Sequence, residues 1–269
     1  MNSWLLLQSG KGNPAFNMAL DEALLEVVSR LGKPVLRFYG WTESAATFGY
    51  FQKYADVERA TPLRPLIRRP TGGGIVPHDA DWTYSLAFPP GHEWHALKAE
   101  DSYRRVHEWI QSAFAKLKIE TELASARKNS IVASGSSRRE EAPFSNAECG
   151  VRNAESSQSL LTSAATDQCF IGHEKSDVLW RGKKIAGAAQ RRNKLGLLIQ
   201  GSVQPPPFQK SEVRSQKSER ASWHDAMCAV GSEEFGVEWL QFEPDDPLRQ
   251  CADELVRTRF SLATYNQKR

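Results

Sequence analysis

The stretch Arg68-Arg69-Pro70-Thr71-Gly72-Gly73-Gly74-Ile75-Val76-Pro77-His78 sets two guanidinium groups, three glycines and an imidazole within one strand-turn-strand length. Such a set suits chemistry on a ligand that carries a carbonyl or an anionic group. Glycine lacks Cβ and tolerates positive φ, so a triple-glycine turn can bring backbone N–H groups up to a ligand's oxygens. Taken by themselves the glycines favour a plainer reading, a bulged hairpin turn, and other residues must decide. Arg68 and Arg69 point to opposite faces of a strand, so one of them faces a common pocket. His78 has two readings of equal weight, proton transfer or carrier contact on one side and a backbone-satisfied histidine on the other.

A chain of 269 residues with formal charge +3 and 40% hydrophobic residues fits one large globular domain, or one domain with a small appendage. The small, scattered charge excess gives no indication of a nucleic-acid partner. Trp4-Leu5-Leu6-Leu7 lacks the basic start and the length of a secretory signal, and nothing later approaches a membrane span, so it reads as a first strand. Cys149, Cys169, Cys228 and Cys251 show neither CxxC spacing nor the density of a disulfide scaffold. Free thiols in a reducing cytoplasm are expected, with no metal and no bound cofactor.

Phe16, Leu20, Ala23, Leu24, Val27 and Leu31 follow the helical period, with Asp21 and Glu22 off that stripe. Short β-rich runs follow at 35–38, 46–49, 66–69, 75–77 and 82–88, separated by glycine and proline, and they suggest a mixed sheet. An amphipathic helix is expected over about 99–117, with Tyr103, Val106, Ile110, Phe114 and Leu117 on one face, then a strand at 119–123. Residues 127–165 turn to Ser, Ala, Asn, Glu and Arg without period, a composition that cannot bury enough surface to order itself, and read as an insertion. Strand patterning returns at 178–180, 184–189 and 197–203 before a proline triplet at 205–207. Two helices, roughly 221–229 and 247–259, complete an α+β chain. It divides into a catalytic unit, 1–204, and a helical C-terminal extension, 205–269, packed on the same domain.

Several motifs occur together: Asn17-Met18-Ala19-Leu20-Asp21, Arg37-Phe38-Tyr39-Gly40-Trp41, Phe48-Gly49-Tyr50-Phe51-Gln52, the glycine stretch, and Gly182-Lys183-Lys184-Ile185-Ala186-Gly187-Ala188-Ala189-Gln190. In order and spacing this series resembles the biotin/lipoate protein ligase and octanoyltransferase superfamily. The resemblance covers residues 1 to about 204 apart from the insertion. It implies a central mixed sheet flanked by helices, with an acyl pocket between the glycine turn and the Lys184 strand. Asp21, Tyr39 and Trp41 sit in these motifs, where ligand contact and packing both remain open.

Within the superfamily, lipoate ligases use ATP to make an acyl-adenylate, whereas octanoyltransferases pass an already activated acyl group through a cysteine. Gln168-Cys169-Phe170 resembles the Cys-Phe of the octanoyltransferases built on the lipoate-ligase scaffold; Cys149, Cys228 and Cys251 have no such match. The resemblance thus implies Cys169 as nucleophile, although a lone cysteine is by default an inert core residue. Lys184 is the cation expected to favour its thiolate and polarise the acyl carbonyl, the alternative being an edge-strand charge. Arg69, Thr71, Gly72, Gly73, Gly74, His78, Gly187 and Ala188 are expected to bind substrate. Backbone N–H groups near Gly72 to Gly74 or Gly187 would hold the oxyanion, and the small residues after Lys184 leave room for an acyl chain or serve close packing.

The implied donor is octanoyl-acyl carrier protein, steered by exposed cations including Arg191 and Arg192, and the implied acceptor is a lysine of a lipoyl domain or glycine-cleavage H protein. Two alternatives stay open. One is an ATP-dependent lipoate ligase without a fused accessory domain, to which Asp177 before Lys183-Lys184 bears a likeness, with Ser176 in place of the ligases' Asn. The other is a catalytically silent acyl-binding homologue.

Overall fold

The structure, a computed structural model, describes residues 2–125, 174–206 and 216–268. The expected insertion at 127–165, Cys149 and Cys169 lie outside the described residues. Strand β1 (Asn2–Gly12) leads into helix α1 (Pro14–Leu31) and strand β2 (Val35–Trp41). Asn13 caps α1 by accepting the Phe16 N–H, Pro14 occupies its first turn, and Gly32 at φ 64° ends it in the left-handed conformation. Because α1 carries the chain back over the sheet, β1 and β2 run parallel, as a helical crossover requires.

Strand β3 (Ala45–Phe48), helix α2 (Tyr54–Ala60), and strands β4 (Leu66–Arg68) and β5 (Val76–His78) follow. Then come β6 (Trp82–Phe88), a short α3 (Glu93–Ala96), α4 (Ala99–Lys116) and a two-residue β7 (Glu122–Leu123). After the undescribed segment the chain resumes with β8 (Val178–Trp180), β9 (Lys183–Asn193) and β10 (Gly196–Val203). Helix α5 (Gln216–Phe235), strand β11 (Val237–Gln241) and helix α6 (Asp246–Leu255) come next, and α6 runs on into a π-helical turn, Val256–Phe260, before α7 (Ala263–Asn266).

Eight strands form one mixed sheet in the order β11-β1-β2-β6-β10-β9-β8-β7. Its central strands are buried along their whole length, because helices cover both faces. On β6, Trp82, Tyr84, Leu86 and Phe88 enter the core shared with α4 and α5, while Ala87 enters the core shared with α1 and α6. The strand's alternation is thus hydrophobic on one side and small or polar, Thr83 and Ser85, on the other.

Two expectations need correction. The runs at 46–49, 66–69 and 75–77 do not join the main sheet; β3, β4 and β5 make a separate three-stranded sheet, ordered β4-β3-β5. The C-terminal extension is not purely helical, since β11 pairs in parallel with β1 at the sheet edge. Asp21 and Glu22, off the apolar stripe of α1, are nevertheless buried, because α1 is covered on more than one side and these carboxylates meet Arg37, Arg191 and Arg259.

Candidate active site

The site begins with a buried carboxylate. Asp21, with no exposed surface, accepts from Arg37 Nη1 at 2.6 Å, Ser85 Oγ at 2.6 Å, Gln200 Nε2 at 2.7 Å and Tyr39 OH at 2.9 Å. Four donors around one carboxylate compensate its desolvation, where an unpaired charge would be unfavourable. Burial, and then the Asp21 charge, pushes the Tyr39 phenol well above its ordinary range, so Tyr39 stays a donor to Asp21. Gln200 in turn accepts from Thr71 Oγ1 at 2.7 Å. The motif residue on α1 is thereby tied to β2, β6, β10 and the start of the glycine turn.

Above this network lies a small cleft, part of it open to solvent. Met18, Val76 and Ala189 supply apolar surface, and Gly73, Gly187, Ala188 and Gly201 bring main chain to its wall. Thr47, Arg69, His78, Thr83, Gln200 and Ser202 form the polar side. A small cleft with apolar lining and a few converging polar groups is the usual form of a small-ligand site.

Only glycine fits where the turn meets β3. A Cβ on Gly49 would stand 2.0 Å from the carbonyl oxygen of Gly73, which itself has φ +87°. The turn presents two carbonyls inward, for Arg69 Nη2 donates to Gly72 O and Gly74 O, each at 2.8 Å, and Nη1 donates to Thr47 Oγ1 at 2.9 Å. Arg69 thus brackets the turn. Arg68 points the other way, donating to the Tyr50 and Gln52 carbonyls and to Asn266 O, as strand alternation requires.

His78 is held on every side. Its Nε2 lies 2.7 Å from Thr47 Oγ1, its Nδ1 lies 2.9 Å from Asp81 Oδ2, and the Trp41 ring stacks on it at 3.8 Å. Asp81 Oδ2 also accepts from Ser202 Oγ at 2.7 Å and Thr83 Oγ1 at 2.9 Å. Burial works to raise the Asp81 pKa, but His78 and the three hydrogen bonds outweigh it and hold the carboxyl below its ordinary value.

Lys184 sits at the start of β9, where a register shift between Val178 and Leu179 interrupts the pairing with β8. Its ammonium meets Asp177 Oδ2 at 2.8 Å, both side chains being 7% exposed, and the same oxygen accepts the Glu174 N–H at 2.7 Å. The side chain folds back over Gly187, where a Cβ would lie 2.7 Å from Lys184 Cε and 2.9 Å from Nζ. Gly187 borders the cleft, while Lys184 and Asp177 themselves do not line it. Lys184 is therefore not a solvent-facing edge charge. A buried cation held by one carboxylate can stabilise negative charge developing beside it.

Of the residues singled out from the sequence, Arg69, Gly73, His78, Gly187 and Ala188 border this cleft. Thr71, Gly72 and Gly74 do not; they brace the turn, because the Thr71 hydroxyl is taken up by the Gln200 side chain and the Gly72 and Gly74 carbonyls by the Arg69 guanidinium. Cys169 lies outside the described residues. Cys228 and Cys251 are free thiols pushed up to about 12, by burial and then by Asp225 and Glu26 respectively, which leaves almost no thiolate at neutral pH. Arg191 binds Glu22 at 2.7 Å and Arg192 donates to the His95 carbonyl, although both keep some exposure.

Sequence reasoning passed over Met18, Thr47, Thr83, Asp81, Gln200 and Ser202. Two signals were available. Asp81 stands three residues after His78, and Gln200 and Ser202 alternate as polar residues within the otherwise apolar Leu197-Leu198-Ile199-Gln200-Gly201-Ser202-Val203. Among the described residues, no cluster of His, Cys, Asp and Glu suits a metal ion, and no helix is long and apolar enough to cross a membrane.

Solved structures share this fold: a lipoate-protein ligase A bound with ATP matches with TM-score 0.66 and 19% identity over 99% of both chains. The bi-partite lipoate protein ligase of Thermoplasma acidophilum, solved in work that includes its E2 lipoyl domain, matches with TM-score 0.62 and 19% identity, covering 99% of this chain and 96% of that one. In sequence, the chain is 31% identical over 205 residues to octanoyltransferase LipM of Macrococcus caseolyticus and 32% identical over 206 residues to that of Bacillus subtilis. These matches take in 74% and 75% of this chain and 65% of each relative's length. The lipoyl protein ligase A/B catalytic-domain model matches residues 13–207, and the chain belongs to that family.

Proposed function

We propose that this protein is an octanoyltransferase of protein lipoylation. It takes octanoyl from acyl carrier protein onto Cys169 as a thioester and passes it to a lysine of a lipoyl domain or H protein. The observation that carries this reading is the Lys184 ammonium, held by Asp177 against Gly187, which borders a small, partly apolar cleft. It is supported by identity of 31% to 32% with relatives named as octanoyltransferases.

Thiolate attack on an acyl thioester exchanges one C–S bond for another at little net free energy, and attack by an amine then yields the more stable amide. Lys184 would favour the thiolate and the oxyanion in both steps. Cytoplasmic operation with reduced thiols follows from the chemistry. The acidic donor protein would meet partly exposed cations such as Arg191, Arg192 and Arg259, of which Arg191 and Arg259 pair with Glu22.

The test is to incubate the protein with octanoyl-acyl carrier protein, without ATP, and weigh it intact. An octanoyl adduct lost in Cys169→Ser supports the reading. Product on a lipoyl domain only with Mg-ATP would make the protein a ligase, and neither would make it an acyl-binding protein.

A further inference from the structure

We propose that Asp81, His78 and Thr47 form a proton relay on the cleft wall that serves the amide-forming step, with Asp81 positioning His78. The inference rests on the transfer reading above. In that step the acceptor nitrogen attacks the thioester carbonyl, a C–N bond forms, the C–S bond breaks, and the nitrogen must shed a proton. The cysteine sulfur leaves as thiolate. Lys184, ion-paired with Asp177 at 2.8 Å, is placed to stabilise that negative charge.

The Thr47–His78–Asp81 chain offers an acceptor on the cleft wall. Thr47 and His78 both border the cleft. Arg69 Nη1 donates to Thr47 Oγ1 at 2.9 Å, which turns the threonine's own hydroxyl proton toward His78 Nε2, 2.7 Å away. Nδ1 then carries the ring's other proton and donates to Asp81 Oδ2 at 2.9 Å. In the reaction, Thr47 Oγ1 takes the amine's proton as its hydroxyl proton passes to Nε2. His78 becomes an imidazolium between Thr47 and the Asp81 carboxylate, then releases the proton to solvent and leaves the cysteine as the thiolate that begins the next cycle.

The parts are fixed as such a relay requires. Asp81 Oδ2 is set by three donors, His78 Nδ1, Ser202 Oγ and Thr83 Oγ1, and the Asp81 main-chain oxygen accepts from Arg220 Nη2 at 2.7 Å. Trp41 fixes the imidazole plane by stacking at 3.8 Å and donates to Thr83 Oγ1 at 2.8 Å. Asp81 Oδ1 is buried without a hydrogen-bond partner. An asparagine can therefore keep all three bonds by placing its oxygen where Oδ2 lies, which removes the charge and spares the geometry.

The experiment resolves the two steps. Wild type, Asp81→Asn, Thr47→Val and Thr47→Ser are loaded with octanoyl from octanoyl-acyl carrier protein and the adduct is followed by intact mass. The acyl-enzyme is then mixed with a lipoyl domain and amide formation is timed, while the 15N spectrum of the His78 ring reports its tautomer. The expected result is an amide-forming step that falls tenfold or more beyond any loss in loading for Asp81→Asn and Thr47→Val, the scale of general base catalysis. Thr47→Ser restores it, and wild-type His78 carries its proton on Nδ1. Equal slowing of both steps, or no slowing of the second, overturns the relay, and the two separate positions keep the test decisive if one variant folds poorly. A wild type that forms no adduct instead removes the transfer reading, and the inference with it.

Discussion

Replacing Gly187 by alanine tests the Lys184 geometry without touching the lysine. The new Cβ would stand 2.7 Å from Lys184 Cε, 2.9 Å from Nζ and 3.6 Å from Asp177 Oδ1. Non-bonded carbons rest at about 3.5–4.0 Å, so the lysine tip must withdraw by about 1 Å. The displaced atoms are the end of a flexible chain, and alanine gains about 0.5 kcal/mol over glycine in a strand, so unfolding free energy should stay within about 1 kcal/mol of wild type. Complete rupture of the buried pair with Asp177 would cost about 3–5 kcal/mol, and a denaturant titration distinguishes the two outcomes. A stabilising group misplaced by about 1 Å weakens catalysis by roughly a hundredfold, and outright loss of one oxyanion stabiliser by roughly 100- to 1,000-fold. Octanoyl transfer to a lipoyl domain should therefore fall about a hundredfold in Gly187→Ala, and no further than in Lys184→Ala. A folded Gly187→Ala protein that transfers at the native rate would refute the placement of Lys184 at the reacting carbonyl. A loss larger than that of Lys184→Ala would show that Gly187 acts by some other route.

Other consequences can be checked separately. Iodoacetamide at neutral pH should label Cys169 ahead of Cys228 and Cys251, whose thiols are pushed up to about 12, and peptide mapping that finds either of those two labelled first would remove the nucleophile assignment. Asp21→Ala strips the partner from the fully buried Arg37 and should destabilise the fold by about 3–5 kcal/mol; a denaturation midpoint near wild type would contradict the network. Burial, against the opposing charge of Asp177, holds His107 down at about 4, so the folded protein keeps it neutral while the unfolded chain protonates it below its ordinary 6.5. Because the unfolded state then binds more protons, stability should decline by up to about 3 kcal/mol as pH falls from about 6.5 to 4. Urea titrations of His107→Gln should show a shallower decline, with part of the slope kept by His224, which is also lowered to about 4; an unchanged slope would count against a neutral buried His107.

Much of the scaffold was legible because its signals are local. The apolar period marks α1, and strand alternation separates Arg68 from Arg69, whereas the hairpin suggested by the glycine turn does not form, since β4 and β5 pair on opposite sides of β3. These patterns depend on neighbours within a turn or a pleat, and they survive whatever the rest of the chain does. The three-stranded sheet of β3, β4 and β5 was not legible, since short apolar runs carry no record of which partner they will pair with. Nor was β11, whose Val237-Glu238-Trp239-Leu240-Gln241 becomes a strand by pairing with β1 across more than two hundred residues.

The site divides in the same way. Residue types and order determined the family motifs, the lysine and the glycine turn, because close approach of main chain and a fixed cation demand particular residues at particular spacings. Tertiary structure alone decided that Asp21 serves Arg37, Tyr39, Ser85 and Gln200, that Thr71 braces Gln200, and that Asp177 and Gly187 station Lys184. It also decided that His78 stands between Thr47 and Asp81. A buried polar group must find its partner wherever the packed chain supplies one, and that partner is set by which strands and helices come together in three dimensions.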